Sequence, residues 1–138
     1  MPYKGGYPRA TDWRVVRGRY DFAVDGGAVG DIDLTLDAQI PANAVILGGF
    51  VEVDTAVTSG GAATVAVKVE GAGDIVAAAA VSGAPWSTTG RKSVVPVFTG
   101  ATTVKTTAAR KIQATVATAA LTAGVFDVVL FFIQLPDA

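Results

Sequence analysis

A chain of 138 residues with no His and no Cys has the length for one domain with a two-sheet core. It lacks the groups that the common nucleophile–base pairs and thiolate metal sites require. Its formal net charge of −1 argues against a dedicated nucleic-acid binder. Lys4, Arg9, Arg14, Arg17 and Arg19 nevertheless outnumber Asp12 over residues 1–20, residues 21–74 set nine carboxylates against Lys68, and the remainder is basic again, a segregation that favours pairing between copies.

The opening stretch to about Asp12 is rich in Gly, Pro and Tyr, which predicts an extended arm without a core of its own. The expected organisation is an arm over residues 1–14 followed by a sandwich over residues 15–138. No apolar h-region follows Lys4, so no secretory signal is visible and first residence in a cytoplasm is expected. The apolar runs Ile75–Val81, Val125–Phe126 and Val128–Ile133 fall well short of the roughly 18 residues that span a bilayer, which predicts a soluble protein with no membrane partner.

From Val15 the apolar period becomes two. Tyr20, Phe22 and Val24 alternate with Arg19, Asp21 and Ala23, as in a half-buried strand, and Asp25-Gly26-Gly27 supplies a reversal. Ile32, Leu34 and Leu36 make the next inward row, with Asp31, Asp33, Thr35 and Asp37 outward. A simple hairpin here sets Arg19 opposite Thr35 but Asp21 opposite Asp33, a like-charge pair. Either a third strand brings a cation there or the two strands belong to different sheets.

Ile40-Pro41-Ala42-Asn43 reads as a turn. A long strand follows over Ala44–Thr58, with Gly48-Gly49 marking a bulge or close backbone approach. Ser59-Gly60-Gly61 then reverses into Val65, Val67 and Val69, and these two strands are expected to form a hairpin. Asp74–Val81 reads as a strand or short turn, since its Ala content favours helix but its length gives little more than two turns. Ser82–Gly90 is a loop in which Trp86 either plugs the sandwich mouth or anchors a contact.

Arg91–Phe98, Thr102–Thr107, Lys111–Thr118 and Val125–Leu135 complete about eight strands, with Leu121-Thr122-Ala123-Gly124 as the last turn. The fold class expected is all-β, an antiparallel, jelly-roll-like β-sandwich. The final strand is apolar on both sides: Val125, Val129, Phe131 and Ile133 on one, Phe126, Val128, Leu130 and Phe132 on the other. Both faces should be covered, because a few such side chains left in water cost several kcal/mol at ~25 cal/mol per Å²; a loop, the N-terminal arm or another subunit could do it, and oligomerisation is favoured.

Few residues offer chemistry. Asp31, Asp33 and Asp37 form a row of oxygen ligands suited to a hard cation, but the calcium-loop spacing is not met, and a solvated or ion-paired face is expected. Tyr3, Tyr7 and Trp13 among the cations of the arm fit a nucleic-acid contact, an acidic protein surface or ordinary local tethering, and the acidic protein surface is favoured. A carboxylate pair for glycoside hydrolysis is not singled out by any spacing. No catalytic residue, cofactor or metal is assigned.

The runs Tyr20–Gly27, Ile40–Ile46 and Gly49–Val53, with Asp74–Ala78, Thr107–Arg110 and Leu121–Gly124, resemble small structural proteins of tailed bacteriophages encoded near head genes, in particular head decoration or cement proteins. The resemblance implies a sandwich that clamps major capsid protein subunits from outside, commonly as a homotrimer. With it, Tyr3, Lys4, Tyr7, Arg9, Trp13 and Arg14 are expected to hold the capsid, aromatic and Arg side chains being the strongest anchors. Phe126, Leu130, Phe131 and Phe132 are expected in core or trimer contacts. A head-fibre base or tail-associated sandwich is the alternative, and a carbohydrate-binding module, marked by an exposed aromatic platform at Trp86 or the arm tyrosines, is a further one.

Overall fold

The computed structural model describes residues 14–36 and 39–136. The expected arm lies outside them except for Arg14, as does Asp37. Ten strands among the described residues build two antiparallel sheets: β1 (Arg14–Asp21), β2 (Gly30–Asp33), β3 (Thr35–Leu36), β4 (Ala44–Ser59), β5 (Thr64–Lys68), β6 (Val76–Ala80), β7 (Gly90–Ser93), β8 (Val104–Lys105), β9 (Gln113–Ala117) and β10 (Leu121–Gln134). One sheet runs β3-β1-β10-β4-β7 with β8 also on β4, and the other β2-β9-β5-β6. This is the all-β sandwich expected of short, alternating, Gly-punctuated segments.

Local chemistry ends β1 earlier than alternation alone predicts. The Asp21 carboxylate accepts from the Ala23 N–H at 3.0 Å and caps a single helical turn, α1 (Phe22–Asp25), so Phe22 and Val24 leave the strand and Val24 is exposed. An Asp that can bond the backbone two residues on competes with the ladder. The Tyr20 hydroxyl then donates to Gly26 O at 2.7 Å, closing the reversal. Burial, with Asp25 and Asp21 nearby, pushes the Tyr20 phenol up to about 12.

The like-charge conflict is resolved by a change of sheet. Asp33 ends β2 opposite Gln113 on β9, buried Leu34 donates its N–H to Ile112 O, and Thr35 resumes in the other sheet opposite Arg19. The Arg19–Thr35 register of a hairpin therefore holds while Asp21 and Asp33 never meet.

Two expectations are corrected. β4 and β5 are not a hairpin: β4 pairs with β10, β7 and β8, β5 with β9 and β6, and Ser59-Gly60-Gly61 carries the chain across the sandwich. Alternating Val residues state that each strand has one buried face, and this is equally true of strands side by side and strands face to face. Leu121–Gly124 is not a turn but the irregular start of β10, with register shifts up to Phe126; the reversal is at Thr118, φ 76°. Gly124 serves packing there, since a Cβ would sit 3.0 Å from Val57 Cγ2.

Between the sheets, Tyr20, Ile46, Val51, Val53, Phe126, Val128 and Leu130 meet Val65, Val67, Ala114 and Val116 in one core. Trp86 is 0% exposed and plugs it. Its ring lies 4.8 Å from Phe126, which stacks 5.2 Å from Tyr20. Its indole N–H donates to Val65 O at 3.1 Å in one sheet, and its own carbonyl accepts from Val57 N in the other. Trp86 is thus no platform for a sugar.

Candidate assembly surface

Alternation along β10 separates two roles that the sequence left joined. Phe126, Val128, Leu130 and Phe132 are buried core, whereas Val125, Val129, Phe131 and Ile133 are only half-buried on the outer face of the larger sheet. Of the four residues expected in core or trimer contacts, Phe126, Leu130 and Phe132 belong to the core, and Phe131 alone is displayed.

Directly opposed residues of antiparallel strands share a face, so the register lays out that surface row by row. Val15 faces Phe131, which faces Gly48; Arg17 faces Val129, which faces Phe50; Arg19 faces Asp127, which faces Glu52, which faces Arg91. One half is apolar but for Arg17, and the other charged. In the charged half, Arg19 Nη1 donates to Asp127 at 2.9 and 3.0 Å and reaches Asp54 at 3.4 Å, and Arg91 lies 3.4 Å from Glu52.

The apolar half is completed by a residue that periodicity did not single out. The segment Ser93–Val104 carries no charge, and after β7 it leaves the sheet, with Val95 N–H donating to Ile75 O just before β6 and Phe98 N–H to Leu47 O at 2.6 Å. The Phe98 ring lies over Gly48, where a Cβ would strike it. Phe98 has φ 64°, a strained conformation for a bulky residue, and it is 58% exposed beside Val97 at 54%. Thr102 fixes the loop by donating its N–H to Thr99 O and accepting from Val97 N–H. The strand expected over Arg91–Phe98 is therefore the short β7, Gly90–Ser93, followed by an apolar display loop.

The second sheet presents ion pairs on its outer side. Asp31 lies 2.9 Å from Lys68 and accepts from the Thr115 hydroxyl, which holds its carboxyl below the usual range. Asp33 accepts from Gln113 at 2.7 Å and lies 3.6 Å from Lys111. The two described members of the Asp row thus have protein partners, as expected of an ion-paired face. A polar cleft of about 320 Å³ beside them is lined by Lys68, Glu70, Arg110 and Gln113.

Glu70 there accepts from the Thr107 hydroxyl and N–H and from Arg110 Nε. Those bonds push its carboxyl down to about 2. A depressed carboxyl contributes stability in full above its unfolded pKa and loses it as pH falls through the folded one. The Tm advantage of the wild type over Glu70→Gln is therefore expected to be constant near neutrality, to shrink below the ordinary glutamate range and to vanish near pH 2. Calorimetry across that range checks it, and a pH-independent difference refutes it.

Sequence reasoning also missed Thr106, which is fully buried. Its hydroxyl donates to Pro41 O at 2.7 Å and accepts from Ala44 N–H at 3.0 Å, closing the start of β4. The available signal was the Pro41 turn, which leaves the first N–H of the following strand in need of an acceptor. Tyr3, Lys4, Tyr7, Arg9 and Trp13 lie outside the described residues, and Arg14 is exposed at the head of β1.

The same architecture occurs in solved virus shells. A chain of the cyanophage Pam1 capsid asymmetric unit superposes with a TM-score of 0.62 at 18% identity, covering 98% of this chain and 94% of that one. The fold is one found in phage capsids. A chain from the acidic stable capsid structure of Helicobacter pylori bacteriophage KHP30 gives 0.59 at 12% identity, covering 91% and 89%, and one from the capsid of Ralstonia phage GP4 gives 0.59 at 20%, covering 98% and 93%. No protein-family model matches the chain, and no curated protein sequence does.

Proposed function

We propose that this protein is a non-enzymatic structural component of a phage virion. In this reading it is synthesised in the host cytoplasm and decorates the exterior of the head, bridging major capsid protein subunits as a homotrimer. The observation that carries the reading is the full-length match to capsid chains, made by a chain whose outer sheet face is divided into an apolar and a charged half. Association through such a face adds stability to a shell by mass action and many modest contacts. The arm over residues 1–14 supplies the shell anchors Tyr3, Lys4, Tyr7, Arg9, Trp13 and Arg14.

The purified chain is expected to sediment as a trimer and to rebind heads stripped of it. Deleting residues 1–13 should leave the trimer intact and abolish cosedimentation. A monomeric protein, or one that ignores stripped heads, overturns the reading.

A further inference from the structure

The apolar half of the outer sheet face lies where the chain enters the fold, and its place selects an occupant. Val15, 54% exposed, is the second residue of β1, and from it the row runs to Phe131 and on to Gly48 under the Phe98 ring. Trp13 immediately precedes β1 in the sequence, two residues from Val15. The row from β1 to β4 crosses two strand spacings, roughly 10 Å. The thirteen residues before Arg14 extend to roughly 40 Å.

From this geometry we infer that, in the free protein, residues 1–13 fold back over their own larger sheet, with Trp13 and Tyr7 seated on the Val15–Phe131–Phe98 strip. Gly5-Gly6 and Pro8 are residue types that favour the reversal such a path requires. Covalent attachment makes the contact intramolecular, so each aromatic meets the strip at a high effective concentration. The strip itself is preformed: the Phe98 backbone is held in a strained conformation by its own loop, and strain of this kind collects at contact sites. This seat is a property of the free chain and stands whether or not the protein binds a head.

The chain has no native cysteine, so a spin label at Lys4→Cys is unique, and it lies ten residues upstream of Arg14. NMR of the isotopically enriched, labelled full chain is expected to show a several-fold loss of amide intensity at Phe98, Val129 and Phe131, with much less at Thr115 and Lys68 on the far sheet. The loss should persist when the sample is mixed with excess unlabelled, unenriched chain. Phe98→Ser, a change at an exposed side chain, should weaken it. An even profile over both sheets overturns the proposal, as does a loss at Phe131 that Phe98→Ser leaves unchanged. Loss that fades on mixing assigns the segment to a neighbouring copy and overturns it equally.

Discussion

Trp86→Ala lowers the free energy of unfolding by about 3–5 kcal/mol, the range for truncating a large buried aromatic. Three losses coincide. The indole leaves a void against Phe126, which in turn loses one side of its sandwich with Tyr20. Val65 O loses a buried donor, and an acceptor left unsatisfied costs about 1–3 kcal/mol where water cannot reach it. The β6–β7 loop also loses its side-chain anchor between the sheets, keeping the backbone bonds of Val57 N–H to Trp86 O and of Val81 N–H to Ala63 O. A domain of this size holds about 5–15 kcal/mol in all, so urea melts should show a midpoint moved far toward zero denaturant. A loss below about 1 kcal/mol, typical of surface positions, would remove Trp86 from its place as the plug. Trp86→Phe keeps most of the volume and not the donor, so its cost isolates the bond to Val65.

Gly49→Ala is expected to cost about 3 kcal/mol, the upper end for overpacking. A Cβ there collides with the Val129 carbonyl oxygen and lies 3.0 Å from Leu130 Cα. Both belong to the backbone of β10, the strand paired with β4 along its length, so the obstacle cannot rotate away. The neighbouring Gly48→Ala meets the Phe98 ring instead, and an exposed side chain can swing aside. Gly48→Ala should therefore spare the melt while releasing Phe98, visible as loss of its ordered NMR signals. Equal destabilisation by the two would show that β10 does not bear on Gly49 as described.

Charge and alternation carried most of the architecture. Asp21 and Asp33 were unfavourable across from each other, and that electrostatic objection left two ways out, a cation from a third strand or separate sheets, between which the change of sheet at Leu34 decided. The two-sided apolar character of β10 was legible because a period of two assigns every residue to a face. Trp86 was legible as a plug or an anchor, and only its surroundings chose between them.

Other features depended on partners far along the chain. The β4–β5 hairpin failed because a strand's pattern records that one face is buried, not which strand takes its backbone bonds. Phe98 went unread as a display residue because its place on Gly48 depends on a loop whose bonds to Leu47 and Ile75 cross long sequence separations. Thr106 was invisible as a buried polar residue because its partners are Pro41 and Ala44.

Composition, spacing and charge by themselves determined a cysteine-free, histidine-free β-sandwich with a basic, aromatic leader and an apolar last strand, since these follow from side-chain alternation and from which groups are absent. Only the tertiary structure decided which strands share a sheet and which half of the outer face is apolar. Both are set by register between segments distant in sequence, which no local pattern encodes.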